Sequence, residues 1–124
     1  MFVQVTSGSV FLKKGRFSSS VRIYSISEDL GTLFWRNLEG KKSDCTFSVG
    51  FKSFESVTFN ENFNYRNSSD NNTNNNDMIV LDGHRGSKSL RLRYVGALNE
   101  AANRVQQSQW GQILRLAVAK ANLK

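Results

Sequence analysis

The sequence predicts a mainly β fold of the α+β class: seven antiparallel strands closed into a sandwich or barrel and capped by a C-terminal amphipathic helix. Three observations predict it. Short segments rich in β-branched and aromatic residues recur up to Tyr94, several with strict alternation of apolar and polar residues. After Tyr94 the period lengthens to that of a helix. At 124 residues, with 39% apolar and 11% aromatic content, the chain supports one core and not two, so 1–124 is read as a single domain.

Taken in order, the first strand is Ser9–Lys14, ended by a turn at Gly15. Val21–Ile26 is the second, with Val21, Ile23 and Ser25 on one face and Arg22, Tyr24 and Ile26 on the other. Glu28–Gly31 has turn chemistry, and Gly31 is the residue expected to supply a positive φ there. Thr32–Arg36 follows as the third strand and Asn37–Asp44 as a polar, basic loop. Cys45–Val49 and Ser56–Phe59 are the fourth and fifth strands, with Cys45 expected to pack in or near the barrel as a small hydrophobe. Met78–Leu81 and Ser89–Tyr94 complete the set; in the last, Leu90, Leu92 and Tyr94 face the core and Arg91 and Arg93 face outward. Residues 60–77 differ in kind: nine of the 17 residues from Asn60 to Asn76 are Asn, which leaves too little apolar surface to offset ordering entropy, so a disordered loop is expected.

Leu98, Ala101, Ala102 and Val105, then Trp110, Ile113, Leu114 and Ala117, recur at helical spacing and predict a helix over about 97–121. Glu100 near its start and Arg115 and Lys120 near its end complement the helix dipole, Asn99 is a candidate cap, and Gly111 weakens its continuity.

Seventeen Lys and Arg against ten Asp and Glu give a net charge of +7. The charge comes in blocks: none over 1–12, +4 over 13–42, −4 over 43–82 and +7 over 83–124. Such a distribution implies a basic face that attracts polyanions, whether anionic lipid, nucleic acid or acidic protein, or one that is simply solvated. One cysteine and one histidine argue against a disulfide framework or a dedicated zinc site, and no apolar run is long enough to span a bilayer. No secretory leader is visible, and Phe at position 2 is incompatible with N-myristoylation of this chain as it stands. No nucleophile–base pairing, paired-carboxylate motif or glycine-rich phosphate loop is present, so neither enzymatic activity nor a cofactor is expected.

The arrangement resembles a pleckstrin-homology (PH) domain over about Gly8 to Leu116. The likeness is strongest in Gly8–Lys14 (Gly-Ser-Val-Phe-Leu-Lys-Lys) and in Arg22–Trp35, which is similar to the second and third strands of phospholipase C delta-type PH domains; Trp110 is similar to the tryptophan of PH helices. The spacing from Tyr94 to Trp110 is long for that family, which implies a late helix start or an added turn. The resemblance also extends to small acylated PH-domain proteins, in which an acyl chain outside the folded unit supplies a second membrane signal.

The resemblance implies a lipid-headgroup site at the open end of the barrel. Lys14, Arg22 and Tyr24 fit the pattern K-x(n)-[KR]-x-[RKY] of lipid-binding members, and Lys and Arg supply the charge-assisted hydrogen bonds that phosphates require. This reading sets Lys14 beside Arg22 across the first hairpin and makes Lys13, on the opposite face, the weaker candidate. Arg16 in the first hairpin loop, Arg36, Lys41 and Lys42 around the loop after strand three, and Arg85 and Lys88 before strand seven are expected to gather at the same mouth, with Phe17 as a membrane-inserting wedge. Leu12 stands where the tightest phosphoinositide binders carry a basic residue, and Glu39 opposes the charge locally. His84 is read as a simple loop residue, and Trp35 and Trp110 as core.

The function expected is therefore a monomeric, cytoplasmic module, peripheral at a membrane surface, that binds acidic phospholipid headgroups such as phosphoinositide or phosphatidic acid. The alternative is a PH-fold protein-interaction scaffold with a degenerate lipid site. Nucleic acid is not expected as a partner, because most aromatics fall at core-phase positions rather than among the exposed cations.

Overall fold

The computed structural model describes residues 7–15, 18–38, 45–60 and 78–123. Among these residues, seven strands lie in the order Ser9–Lys14 (β1), Ser19–Ile26 (β2), Thr32–Asn37 (β3), Phe47–Gly50 (β4), Phe54–Thr58 (β5), Ile79–Gly83 (β6) and Leu90–Tyr94 (β7), followed by a long helix, Glu100–Ala121 (α1). All pairings are antiparallel and the strands form one sheet in the order β4-β3-β2-β1-β7-β6-β5. Two short 3-10 turns that strand periodicity does not signal, Phe51–Ser53 and His84–Gly86, join β4 to β5 and lead out of β6. The Asn-rich loop expected over 60–77 lies outside the described residues except for Asn60.

The core occupies the inner face of the curved sheet and is closed by α1. Phe11, Tyr24, Leu33, Phe51, Ile79, Leu81 and Leu92 are fully buried, as is Leu114 from the helix. Burial of each such side chain stabilises the fold by about 1.5–3 kcal/mol. Phe11 makes edge-on ring contacts with Tyr24, Tyr94 and Trp110, at centroid separations of 5.7, 5.2 and 5.0 Å.

Between β2 and β3 the backbone takes a positive φ at Leu30 (61°), not at Gly31 as the turn chemistry predicts. The reason is the hydrogen-bond pattern. The Gly31 amide donates to both the Ser27 hydroxyl and the Asp29 carboxylate, at 3.1 and 2.9 Å, and the Ser27 hydroxyl also accepts from the Thr32 amide at 3.0 Å. These bonds fix Gly31 and leave the left-handed step to Leu30, whose side chain still packs on the core. The Ser27 hydroxyl, which donates to the Asp29 carboxylate at 2.6 Å, and then the Gly31 amide hold the Asp29 carboxyl below its ordinary pKa. Cys45 is exposed, contrary to the expectation that it packs inward, because β4 begins two residues later at Phe47.

The helix begins at Glu100, so the long Tyr94–Trp110 spacing is taken up by a late start. Asn99 caps it, its side chain accepting from the Ala102 amide at 2.8 Å. A buried bond from the Tyr94 amide to Gln107 Oε1 (2.7 Å) ties α1 to β7. At the other end the Lys120 ammonium donates to the Asp29 carbonyl at 2.8 Å, and Asn122 Nδ2 donates to the Phe54 carbonyl at 3.0 Å.

Gly111 does not interrupt the helix. It lies against Phe59, where a Cβ would come within 2.5 Å of the ring, and the Arg115 guanidinium covers the same ring at 4.4 Å. A side chain at 111 would push the ring out, whereas alanine would favour the helix by only about 1 kcal/mol. Gly111→Ala is therefore expected to destabilise the domain, by about 1–3 kcal/mol in urea unfolding, the cost of overpacking a filled core.

Candidate functional site

The register of the first hairpin decides which cations meet. The Gly15 amide donates to the Ser18 carbonyl at 2.7 Å, and the strands leave the loop with Lys14 opposite Ser19, Lys13 opposite Ser20 and Phe11 opposite Arg22. Because side chains alternate along a strand, Lys13 shares the inner face with Phe11, and Arg22 shares it with Tyr24 and Ile26. Lys14 is on the outer face with Leu12. The sequence expectation of Lys14 beside Arg22 is thus corrected: the partner on that face is Lys13. Leu12 is turned away from the site, so its lack of charge does not bear on what the site can hold.

Arg22 is half-buried at the end of an aromatic ladder. Tyr24 stacks on Trp35 at 6.2 Å and Trp35 on Phe47 at 5.4 Å, across β2, β3 and β4. The Arg22 guanidinium lies 5.3 Å from the Trp35 ring centroid, and its Nη1 donates to the Tyr24 hydroxyl at 3.2 Å. Its Nε is buried with no hydrogen-bond partner. Burial pushes the Tyr24 phenol above its ordinary pKa, against the opposing effect of Arg22. Tyr24 is therefore a buried support for Arg22 rather than a surface ligand, and Trp35 is only half-buried, with a cation against it.

Lys13 has a lowered pKa, first from burial and then from the positive charges of Arg22 and Lys88. Among the described residues, the charges that bear on it are both positive. Lys13 on β1 thus shares a face with Arg22 on β2 and lies within electrostatic reach of Lys88 in the β6–β7 connection. Asn37, at the end of β3 and paired with Arg22, is half-buried beside them.

The other expected site residues divide. Arg36 pairs with Ile23 and projects from the outer face, away from Arg22. Arg85 is exposed on the His84–Gly86 turn at a positive φ of 52°, and His84 Nε2 lies 3.0 Å from the Lys52 carbonyl, which joins this turn to the β4–β5 connection. Arg16, Phe17, Lys41, Lys42 and Glu39 lie outside the described residues. The available signal for Lys13 was Phe11: a core aromatic two residues earlier on the same strand fixes the phase. Among the described residues there is no cluster of His, Cys, Asp or Glu able to hold a metal ion, and no helix long and apolar enough to cross a membrane.

Comparison with solved structures places this architecture. The chain superposes on inner membrane complex sub-compartment protein 3 of Toxoplasma gondii with a TM-score of 0.63 at 6% identity, covering 98% of this chain and 82% of that one. It superposes on PLC21 of L. pealei with a TM-score of 0.60 at 12% identity, covering 95% of this chain but only 15% of that one. A PH domain from TgAPH matches with a TM-score of 0.51 at 13% identity, over 93% of this chain and 85% of that one. The fold is that of PH domains, as the sequence resemblance implies. No protein-family model matches the sequence, and no curated protein matches it.

Partial burial of Lys13, with the charges of Arg22 and Lys88 bearing on it, has a stability consequence. A lysine with a folded-state pKa below its unfolded value carries a penalty in full while both states are protonated. The penalty is relieved as pH rises through the lowered value toward 10.5, where the unfolded chain binds more protons. Lys13→Gln removes it. Thermal melts should show this variant with a higher Tm than the parent at neutral pH, the gap closing toward the ordinary lysine pKa, whereas Lys14→Gln on the outer face leaves Tm near the parent value.

Proposed function

We propose that this chain is a membrane-targeting module, without catalytic activity, that binds acidic phospholipid headgroups at the end of the sheet marked by Lys13, Arg22 and Lys88. The observation that carries this reading is the register that puts Lys13 and Arg22 on one face of β1 and β2, with Lys88 near enough for its charge to bear on Lys13. Mutual repulsion of like charges is a cost to the fold, and a bound anion relieves it. A phosphomonoester fits the need: it carries up to two charges on one compact group and accepts charge-assisted hydrogen bonds from ammonium and guanidinium donors. Each cation facing an anionic bilayer contributes about 1 kcal/mol, and Arg16, Lys41 and Lys42, in loops leaving the same hairpin and β3, would add to the three. Phe17, next to Arg16, would supply an apolar wedge. The ligand is a phosphoinositide or phosphatidic acid on a cytoplasmic membrane surface, and the module works as a monomer.

One structural neighbour, sub-compartment protein 3, is named for the inner membrane complex, which supports a membrane role for the shared fold.

Sedimentation with phosphatidylcholine vesicles doped with phosphatidylinositol bisphosphate, phosphatidic acid or phosphatidylserine tests the proposal. Charge reversal by Lys88→Glu, at an exposed loop position, or by Lys13→Glu should weaken binding by roughly thirtyfold, the equivalent of about 2 kcal/mol. Lys14→Glu should cost less than Lys13→Glu, and all binding should fall as salt rises. Parent-like binding by both Lys13→Glu and Lys88→Glu would falsify the headgroup site.

A further inference from the structure

The outward face of β1, β2 and β3, which a sheet face turned to solvent would make polar, carries an apolar band of Val10, Leu12, Val21, Ile23 and Phe34 among its hydroxyl and basic residues. The register sets Leu12 beside Val21 and Val10 beside Ile23. The Leu38 amide donates to the Val21 carbonyl at 3.2 Å, and Val21 and Leu38 are 38% and 44% exposed. Between β2 and β3 an open groove of about 160 Å³ is lined by Ile23, Phe34 and Trp35, by the hydroxyl residues Ser7, Ser25 and Thr46, and by Arg36.

Cations frame this apolar band. Arg36 stands opposite Ile23, Arg93 of β7 stands opposite Leu12, and Lys14 follows Leu12 by two residues on the same face. None of the outward residues of β1, β2, β3 and β7 is acidic. The carboxylate of the next strand, Asp82, accepts from the Ser89 hydroxyl at 2.7 Å.

We infer that this face docks an amphipathic helix of a partner protein, one whose apolar stripe is flanked by carboxylates. The stripe lies along Leu12, Val21 and Ile23, with one large side chain in the groove at Phe34, and the carboxylates meet Arg36 and Arg93. The dimensions agree: β1 to β3 is two strand spacings, about 10 Å, which is the diameter of a helix with its side chains. Charge complementarity selects an acidic occupant over a second copy of this chain, whose own Arg36 and Arg93 would be brought against these cations. The choice of a protein over a bilayer rests on the headgroup reading. Strands that run toward Lys13 and Arg22 stand along the bilayer normal when that end is docked, which leaves their outer face sideways and accessible.

The test uses the full chain and two synthetic peptides of ~18 residues, long enough for measurable helicity. Both carry a leucine stripe, flanked in one by glutamates and in the other by lysines. Titration of labelled protein at physiological salt, without lipid, should shift the amides of Val21, Ile23, Phe34 and Arg36 with the glutamate peptide and bind it at least tenfold tighter than the lysine peptide. Arg36→Glu should remove that preference, and Val21→Asp, at an exposed position, should abolish binding with an unchanged circular dichroism spectrum and unchanged vesicle sedimentation. No shifts on this face, equal affinity for the two peptides, or shifts confined to Lys13, Arg22 and Lys88 would each overturn the inference. Loss of vesicle binding in Val21→Asp would assign the face to the bilayer instead, and concentration-dependent self-association abolished by Val21→Asp would assign it to a second copy. The headgroup site stands or falls separately, on Lys88→Glu and Lys13→Glu with vesicles and no peptide.

Discussion

Phe11 sits where three aromatic rings from three different elements meet it edge-on, Tyr24 from β2, Tyr94 from β7 and Trp110 from α1. Such contacts each add about 0.5–1.5 kcal/mol to the burial of the rings, and their geometry is specific. Their larger effect is on phase. With Phe11 pinned inward, Leu12 must face out, Lys13 must face in and Lys14 must face out. A slip of one residue would send Phe11 to solvent and Lys13 with it, so the hairpin register is strongly specified. The position of one hydrophobic ring thus determines the electrostatics two residues away.

The same alternation explains why β2 reads ambiguously. Both of its faces carry apolar groups: Val21 and Ile23 on one, Tyr24 and Ile26 on the other. Burial selects the face with Arg22 on it, because Tyr24 and Ile26 reach the core and Arg22 lies along Trp35 with its guanidinium on the Tyr24 hydroxyl. The face with the cleaner hydrophobic pattern is left outside. An apparent inversion of inside and outside in this strand therefore produces two surfaces of different chemistry on the two sides of one sheet, a cationic cluster within and a basic-rimmed apolar band without.

The order and type of the elements were legible in the chain. β1 was bounded from its composition at Ser9 and Lys14, Asn99 was legible as a cap, and Arg91 and Arg93 alternate outward from Leu92 and Tyr94 as their pattern implies. Features set by geometry between elements were not legible. Seven residues separate Lys14 from Arg22 in a motif-like spacing, but the pairing of 14 with 19 follows from the loop closed by Gly15 and Ser18. Gly31 has the composition of a left-handed residue, yet the Ser27 and Asp29 side chains claim its amide and move that conformation to Leu30. Gly111 resembles a helix breaker until Phe59 is placed beneath it. In each case a constraint between elements overrides a local one.

Phe59 and Met78 flank the asparagine-rich stretch, and both are buried, at 7% and 5% exposure. One is trapped between a glycine and a guanidinium of the helix, and the other immediately precedes β6. Both ends are fixed on the helix side and at the start of β6, whereas the register of the first hairpin is set elsewhere, by the β1–β2 pairing and the bond that closes its loop. A disturbance at Phe59 or Met78 is therefore met first by the helix and by β6, and not by the strands that phase Lys13 and Arg22.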